Sequence, residues 1–153
     1  MREVNSFDEK MKQMDVLLVA ISSNEIENIK IALKELGWNS KLVSAEEEDT
    51  IIRQLLNEEY GLVFINAEYL KRHPKVEKTI FYLPMKKRRD QIFILIDEHM
   101  KTLDNFSAFK KNVNAVVNTK DLPYLSQLLS QIVNSNRTLY RGFQKMIKEL
   151  EVV

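Results

Sequence analysis

Cysteine is absent from this chain of 153 residues, which removes disulfides, thiolate metal sites and cysteine nucleophiles together. Histidine occurs twice, as His73 and His99, too few for a His-rich metal centre. Glycine and proline number three each, so the chain has no flexible linker or low-complexity tract. Neither a P-loop nor a G-x-G-x-x-G turn is present. AISSNE stands after the first strand candidate where such a turn would be expected. The sequence therefore calls for no metal and no cofactor. No apolar run approaches the roughly 20 residues that span a bilayer, and the N-terminus has no apolar signal core, so no membrane and a cytoplasmic location are expected. An excess of one charge is lacking too. The 23 Lys and Arg against 22 Asp and Glu leave a net charge of +1, which makes no general case for nucleic acid or an anionic surface.

What is present is apolar pattern: 44% of the residues are hydrophobic, enough for one domain with a proper core. Residues 15–21 (DVLLVAI), 61–66 (GLVFIN), 91–96 (QIFILI) and 113–117 (VNAVV) are short continuous apolar runs, the mark of strands buried on both faces. Residues 38–43 are shorter and more polar, as expected at a sheet edge. Between the runs lie amphipathic segments. Ser22 and Glu25 have capping-box spacing before a stripe of Ile26, Ile29, Leu33 and Leu36, and Gly37 is placed to end that helix. Ser44 and Glu47 repeat the spacing before Ile51, Ile52, Leu55 and Leu56. A short turn of helix or loop follows Asn66, then a helix from about Pro74, then helices at about 103–111 and from about Leu122.

Strands that alternate with helices imply a parallel sheet covered on both faces. The expectation is α/β: a flavodoxin-like (βα)5 three-layer sandwich of strand order 2-1-3-4-5 with an extra C-terminal helix. Its parts are an N-terminal arm at 1–14, a domain at 15–133 and a helical extension at 134–153. In the arm, Val4, Phe7, Met11 and Met14 fall at helical spacing.

In such a sheet, chemistry gathers at the carboxyl ends of the strands. Here those positions carry Ser22 and Ser23, Asn66, Asp97, and Asn118 with Lys120. Asn66 lies 44 residues after Ser22, Ile96 lies 30 after Asn66, and Asn118 lies 22 after Ile96. With the stretch NTKDLPYLSQLL at 118–129, this spacing resembles the receiver domain of bacterial response regulators over about residues 15–133. The resemblance implies an acidic pair after strand 1 that holds Mg²⁺, a phospho-accepting Asp, a Thr or Ser after strand 4, and a Lys after strand 5. Every one of these departs from the pattern. The acidic pair becomes Ile21-Ser22 or Ser22-Ser23, a poor cage for a hard divalent cation. The acceptor becomes Asn66, which forms no acyl phosphate. The hydroxyl position is Ile96 or Asp97, and the Lys becomes Asn118, with Lys120 two residues on. The loop after the acceptor reads AEYLKRHP in place of the family's Met-Pro-x-Asp-Gly-like stretch.

The implied reading is a degenerate, non-phosphorylatable pseudo-receiver, not an enzyme, that acts as a protein–protein interaction module in signal transduction or regulation. The resemblance places the interaction on the side built by the family's fourth helix, fifth strand and fifth helix. Two alternatives stand beside it. The polar rim of Ser22, Ser23, Asn66, Asp97 and Asn118 is suited to a small ligand. The cations Lys86, Lys87, Arg88 and Arg89, widened by Lys71, Arg72, Lys75 and Lys78, are suited to nucleic acid, although a solvated loop before a strand accounts for the run of four as well. His99, beside Asp97 and Glu98, reads as a solvated loop residue.

From Leu122 onward, Leu125, Leu129, Ile132, Asn136, Leu139, Phe143, Met146, Leu150 and Val153 alternate spacings of three and four, a heptad seam with Asn136 at an a-type position. Tyr140 and Ile147 widen that stripe. Two geometries are open: one continuous helix of about 30 residues, or a break at 134–136 after which the chain folds back. Either supplies an interaction helix, to pair with another protein or with itself as a homodimer.

Overall fold

A computed structural model describes residues 13–151, with side chains left aside at 137, 139–144, 147 and 151. Five strands form one parallel sheet: β1 (Val16–Val19), β2 (Leu42–Ala45), β3 (Leu62–Asn66), β4 (Ile92–Asp97) and β5 (Ala115–Asn118). Their spatial order is β2-β1-β3-β4-β5, the arrangement expected from the sequence. β2 begins four residues later than the pattern of 38–43 suggests. The chain leaves the preceding helix at Gly37, whose φ of +75° suits glycine, and does not reach hydrogen-bonding distance of β1 until Lys41, whose carbonyl accepts from Val16 N–H at 2.8 Å.

Strand side chains alternate between two cores. Val16, Leu18, Leu62, Phe64, Ile92, Ile94, Ala115 and Val117 face one side. There they meet Ile29 and Leu33 of α1 (Ser23–Glu35) and Leu125, Leu129 and Ile132 of α7 (Leu125–Glu151). Leu17, Val19, Val63, Ile65, Phe93, Leu95 and Val116 face the other. That side is closed by α2 (Glu48–Asn57), α3 (Ala67–Arg72), α4 (Pro74–Phe81) and α6 (Asn105–Lys110), through Ile51 and Leu55, Tyr69 and Leu70, Val76 and Ile80, and Ala108.

Two expectations are corrected by the helices, and one open alternative is resolved. Ser44 does not cap α2. It is taken into β2, and the N-cap is Glu47, which makes no side-chain capping bond. Residues 85–90 are not a loop but a short helix, α5 (Met85–Asp90), started by Pro84. The break considered at 134–136 does not occur. α7 runs 27 residues without interruption, about 40 Å at 1.5 Å per residue, the continuous one of the two geometries left open. Residues 1–12 of the proposed arm lie outside the described residues.

Candidate functional site

The carboxyl ends of β1, β3, β4 and β5 lie side by side. Val19 is in register with Ile65, Ile65 with Leu95, Asn66 with Ile96, and Asp97 with Asn118. The neighbour of Asn66 on β4 is therefore the buried Ile96, and Asp97 sits one step further out, level with Asn118. Beyond β1 the backbone turns through Ala20 at φ +55°, a left-handed conformation that costs a non-glycine residue about 1 kcal/mol.

Four polar side chains at this edge, those of Ser22, Asn66, Asp97 and Asn118, are engaged in local backbone structure. The Ser22 hydroxyl accepts from Glu25 N–H at 3.3 Å while Glu25 Oε1 accepts from Ser22 N–H at 3.2 Å, the reciprocal capping box read from the sequence. Ser23 opens α1 and is exposed. Asn66 Oδ1 accepts from Tyr69 N–H at 2.9 Å and so caps α3. Asp97 Oδ1 accepts from the backbone N–H of the exposed His99 at 3.2 Å.

Asn118 is buried and bonds in three directions. Its Nδ2 donates to the carbonyls of Glu98 at 3.2 Å and Met100 at 2.8 Å, and its Oδ1 accepts from Lys120 N–H at 3.0 Å. Its own N–H donates to Thr102 Oγ1 at 2.8 Å, and Thr102 donates to Asp121. The loop after β4 is thus fastened to the end of β5 by an amide. Lys120 lies in a 3₁₀ turn (Thr119–Tyr124) with its side chain exposed. Thr102 and Asp121 were not singled out from the sequence. Nothing in their local spacing signals a contact between a loop and a turn 19 residues apart. Among the described residues no group of three or more His, Asp or Glu is placed to hold a metal ion.

The four cations at 86–89 do not share a face. Lys86 is exposed. Lys87 Nζ donates to the carbonyls of Leu55 at 2.6 Å and Glu58 at 2.8 Å, at the C-terminal end of α2, where unpaired carbonyls and the helix dipole favour a cation. Desolvation lowers the Lys87 pKa, against the opposing pull of Glu59 and Glu58. Arg88 runs the other way. Its Nη2 donates to Asn112 O at 2.7 Å, and its guanidinium lies 4.4 Å from the centroid of the Phe93 ring, a cation–π contact. The solvated loop expected here is in fact a set of partly buried ties.

On α7 the seam does not hold as a seam throughout. Leu125, Leu129, Ile132 and Val133 are buried in the domain. Asn136 Oδ1 accepts from Asn114 Nδ2 at 3.2 Å, and Asn114 Oδ1 in turn accepts from Phe93 N–H at 2.7 Å. Asn136 is therefore anchored to the domain and does not stand at the a-position of a free coiled coil. Met146 and Leu150 are exposed. The side chains of Leu139, Tyr140, Phe143 and Ile147 lie outside the described residues. No described helix is long and apolar enough to cross a membrane.

A second feature was missed in the sequence. Phe81, Tyr82, Phe106 and Phe109 are exposed on α4, its C-terminal cap and α6. The available signal was their helical phase: Phe81 follows the Val76/Ile80 stripe by one residue, and Phe106 and Phe109 flank the buried Ala108.

Compared with solved structures, the fold is similar to a response regulator from Hahella chejuensis, at 11% identity and a TM-score of 0.56, with 80% of this chain and 92% of that chain covered. It is also similar to a bacteriophytochrome response regulator, at 13% identity and a TM-score of 0.58, with 91% of this chain and 96% of that chain covered. No protein-family model matches the chain, and no curated protein matches it in sequence. The fold is that of response-regulator receiver domains.

Proposed function

We propose that this chain is a degenerate receiver that works in signal transduction by binding protein and not through an aspartyl phosphate. The observation that carries the reading is the occupation of the strand ends. Ser22 and Asn66 cap helices, Asp97 accepts from the backbone of its own loop, and the buried Asn118 ties that loop to β5. None of these groups is a pair of carboxylates that would gather a hard divalent cation, and an amide at Asn66 gives no acyl phosphate. The same bonds weigh against a small-ligand site on this rim, because Ser22 Oγ, Asn66 Oδ1, Asp97 Oδ1 and both amide atoms of Asn118 already have partners. Two of the four cations at 86–89 are spent on backbone carbonyls, which weakens the nucleic-acid reading.

The interaction surface under this proposal is the side formed by α6, β5 and α7, extended by the far half of α7, with another protein or a second copy as partner. The exposure of Met146 and Leu150 supports it. The deciding experiment is incubation with acetyl phosphate and Mg²⁺, read by intact mass. The expected outcome is an unmodified chain; stoichiometric phosphate on Ser22, Ser23 or any other edge residue overturns the proposal.

A further inference from the structure

The groove between the end of α4 and α6 brings together exposed aromatic rings and lysines. Phe81 and Tyr82 are 61% and 76% exposed on one wall, and Phe109 is 84% exposed on the other. The volume enclosed is about 650 Å³. Lys78, Lys110 and Lys111 line the same groove against a single carboxylate, Glu77. One turn before Phe109, Phe106 is 70% exposed, with Lys110 Nζ 5.6 Å from its ring centroid. Aromatic rings this exposed contribute little to the core beneath them. A contiguous apolar patch rimmed by charge is the usual form of a contact surface.

We propose that this groove docks an acidic segment of another protein that carries one or two large apolar anchor side chains. The proposal rests on the reading of the chain as an interaction module and assigns it a second face, on the other flank of α6 from β5 and α7. Charge complementarity selects the partner: three ammonium groups beside aromatic walls attract carboxylates that flank an apolar anchor. Single-stranded nucleic acid fits less well. Bases stack on flat ring faces along a track of cations, whereas Phe81 and Tyr82 meet edge to face at 79° with centroids 5.1 Å apart and form an angular cleft. A second copy is the competing occupant that the test separates: the chain's own acidic run at 46–49 has no exposed apolar anchor within it, the nearest large exposed apolar side chain on that helix being Leu56, whereas Glu149 and Glu151 flank the exposed Leu150 in sequence.

The test is a peptide-display selection on the immobilised full chain, followed by titration of the recovered sequences as synthetic peptides. Recovered peptides are expected to place Asp and Glu around Phe, Leu or Trp. Affinity is expected to fall at least roughly tenfold in Phe109→Ala and in the double variant Lys110→Glu/Lys111→Glu, and to stay unchanged in Met146→Glu/Leu150→Glu. These side chains lie at the surface, and melting curves confirm that the variants remain folded. Failure to recover acidic–apolar peptides overturns the proposal, as does binding indifferent to the groove variants. So does oligo(dT) binding abolished by those variants, which would identify a nucleic-acid groove, or their dissolution of a concentration-dependent self-association, which would identify a second copy. Peptide binding lost only in Met146→Glu/Leu150→Glu refutes the groove and leaves the interaction module standing.

Discussion

Tyr69 shows how a single residue at the edge of the site sets a solution property. Its ring is buried and stacks on His73, with centroids 3.8 Å apart, while its hydroxyl makes no hydrogen bond to the protein. Desolvation first, and the nearby Glu48 second, raise its pKa. Tyr60 is raised as well, by desolvation and then by Glu58 and Asp15. A tyrosine raised in the folded state keeps its proton after the unfolded chain has lost it, so above a pH of about 10 stability falls as pH rises. Lys87, whose pKa is lowered, acts in the opposite sense: its contribution grows as pH rises through its folded value. The urea midpoint of the chain is expected to drop between pH 9 and pH 11, and Tyr69→Phe to drop less. At neutral pH the same variant is expected to lie within about 1 kcal/mol of the parent, because the hydroxyl it removes has no protein partner to lose. A Tyr69→Phe curve parallel to the parent at all pH values would show that the phenol does not titrate differently in the folded state.

At the scale of the element, helix starts illustrate what local sequence can specify. The capping box of α1 depends on two side chains three residues apart and forms as spaced. The same spacing at Ser44 and Glu47 fails, because residue 44 is claimed by pairing with Leu18 of β1. α2 then begins at Glu47 without a capping side chain. Ser22→Ala is expected to cost about 1 kcal/mol, and Glu47→Ser to recover a similar amount by supplying the missing acceptor; chemical denaturation measures both. A neutral Ser22→Ala would mean that the start of α1 is held by packing alone. The cations at 86–89 follow the same logic. Their run was plain to read, but the targets of Lys87 and Arg88 lie 32 and 24 residues away along the chain, beyond any local pattern.

The whole molecule is two cores that share one sheet. Phe64 and Ile65 are adjacent in sequence yet belong to opposite faces, so neither core persists if the strands separate. Unfolding is expected to be two-state, with Trp38 fluorescence and far-UV dichroism tracing one transition. Leu129→Ala, which empties a fully buried position on α7, is expected to cost about 2–5 kcal/mol and to move both probes together. Separate transitions would show that the faces unfold independently.

By itself the sequence determined the alternation of buried strands and helices, because buried strands need continuous apolar runs and each helix needs its own stripe, signals contained within a few residues; the strand order was expected from likeness to a flavodoxin-like sheet and is seen in the structure. It also determined that Ser22, Asn66, Asp97 and Asn118 stand at or just beyond the carboxyl ends of the strands. Only the tertiary structure decided what those residues do. That Asn118 holds a loop, that Asn136 is moored to Asn114, and that Phe81 and Phe109 face each other across a groove all depend on contacts between segments far apart in the chain, which no local periodicity encodes.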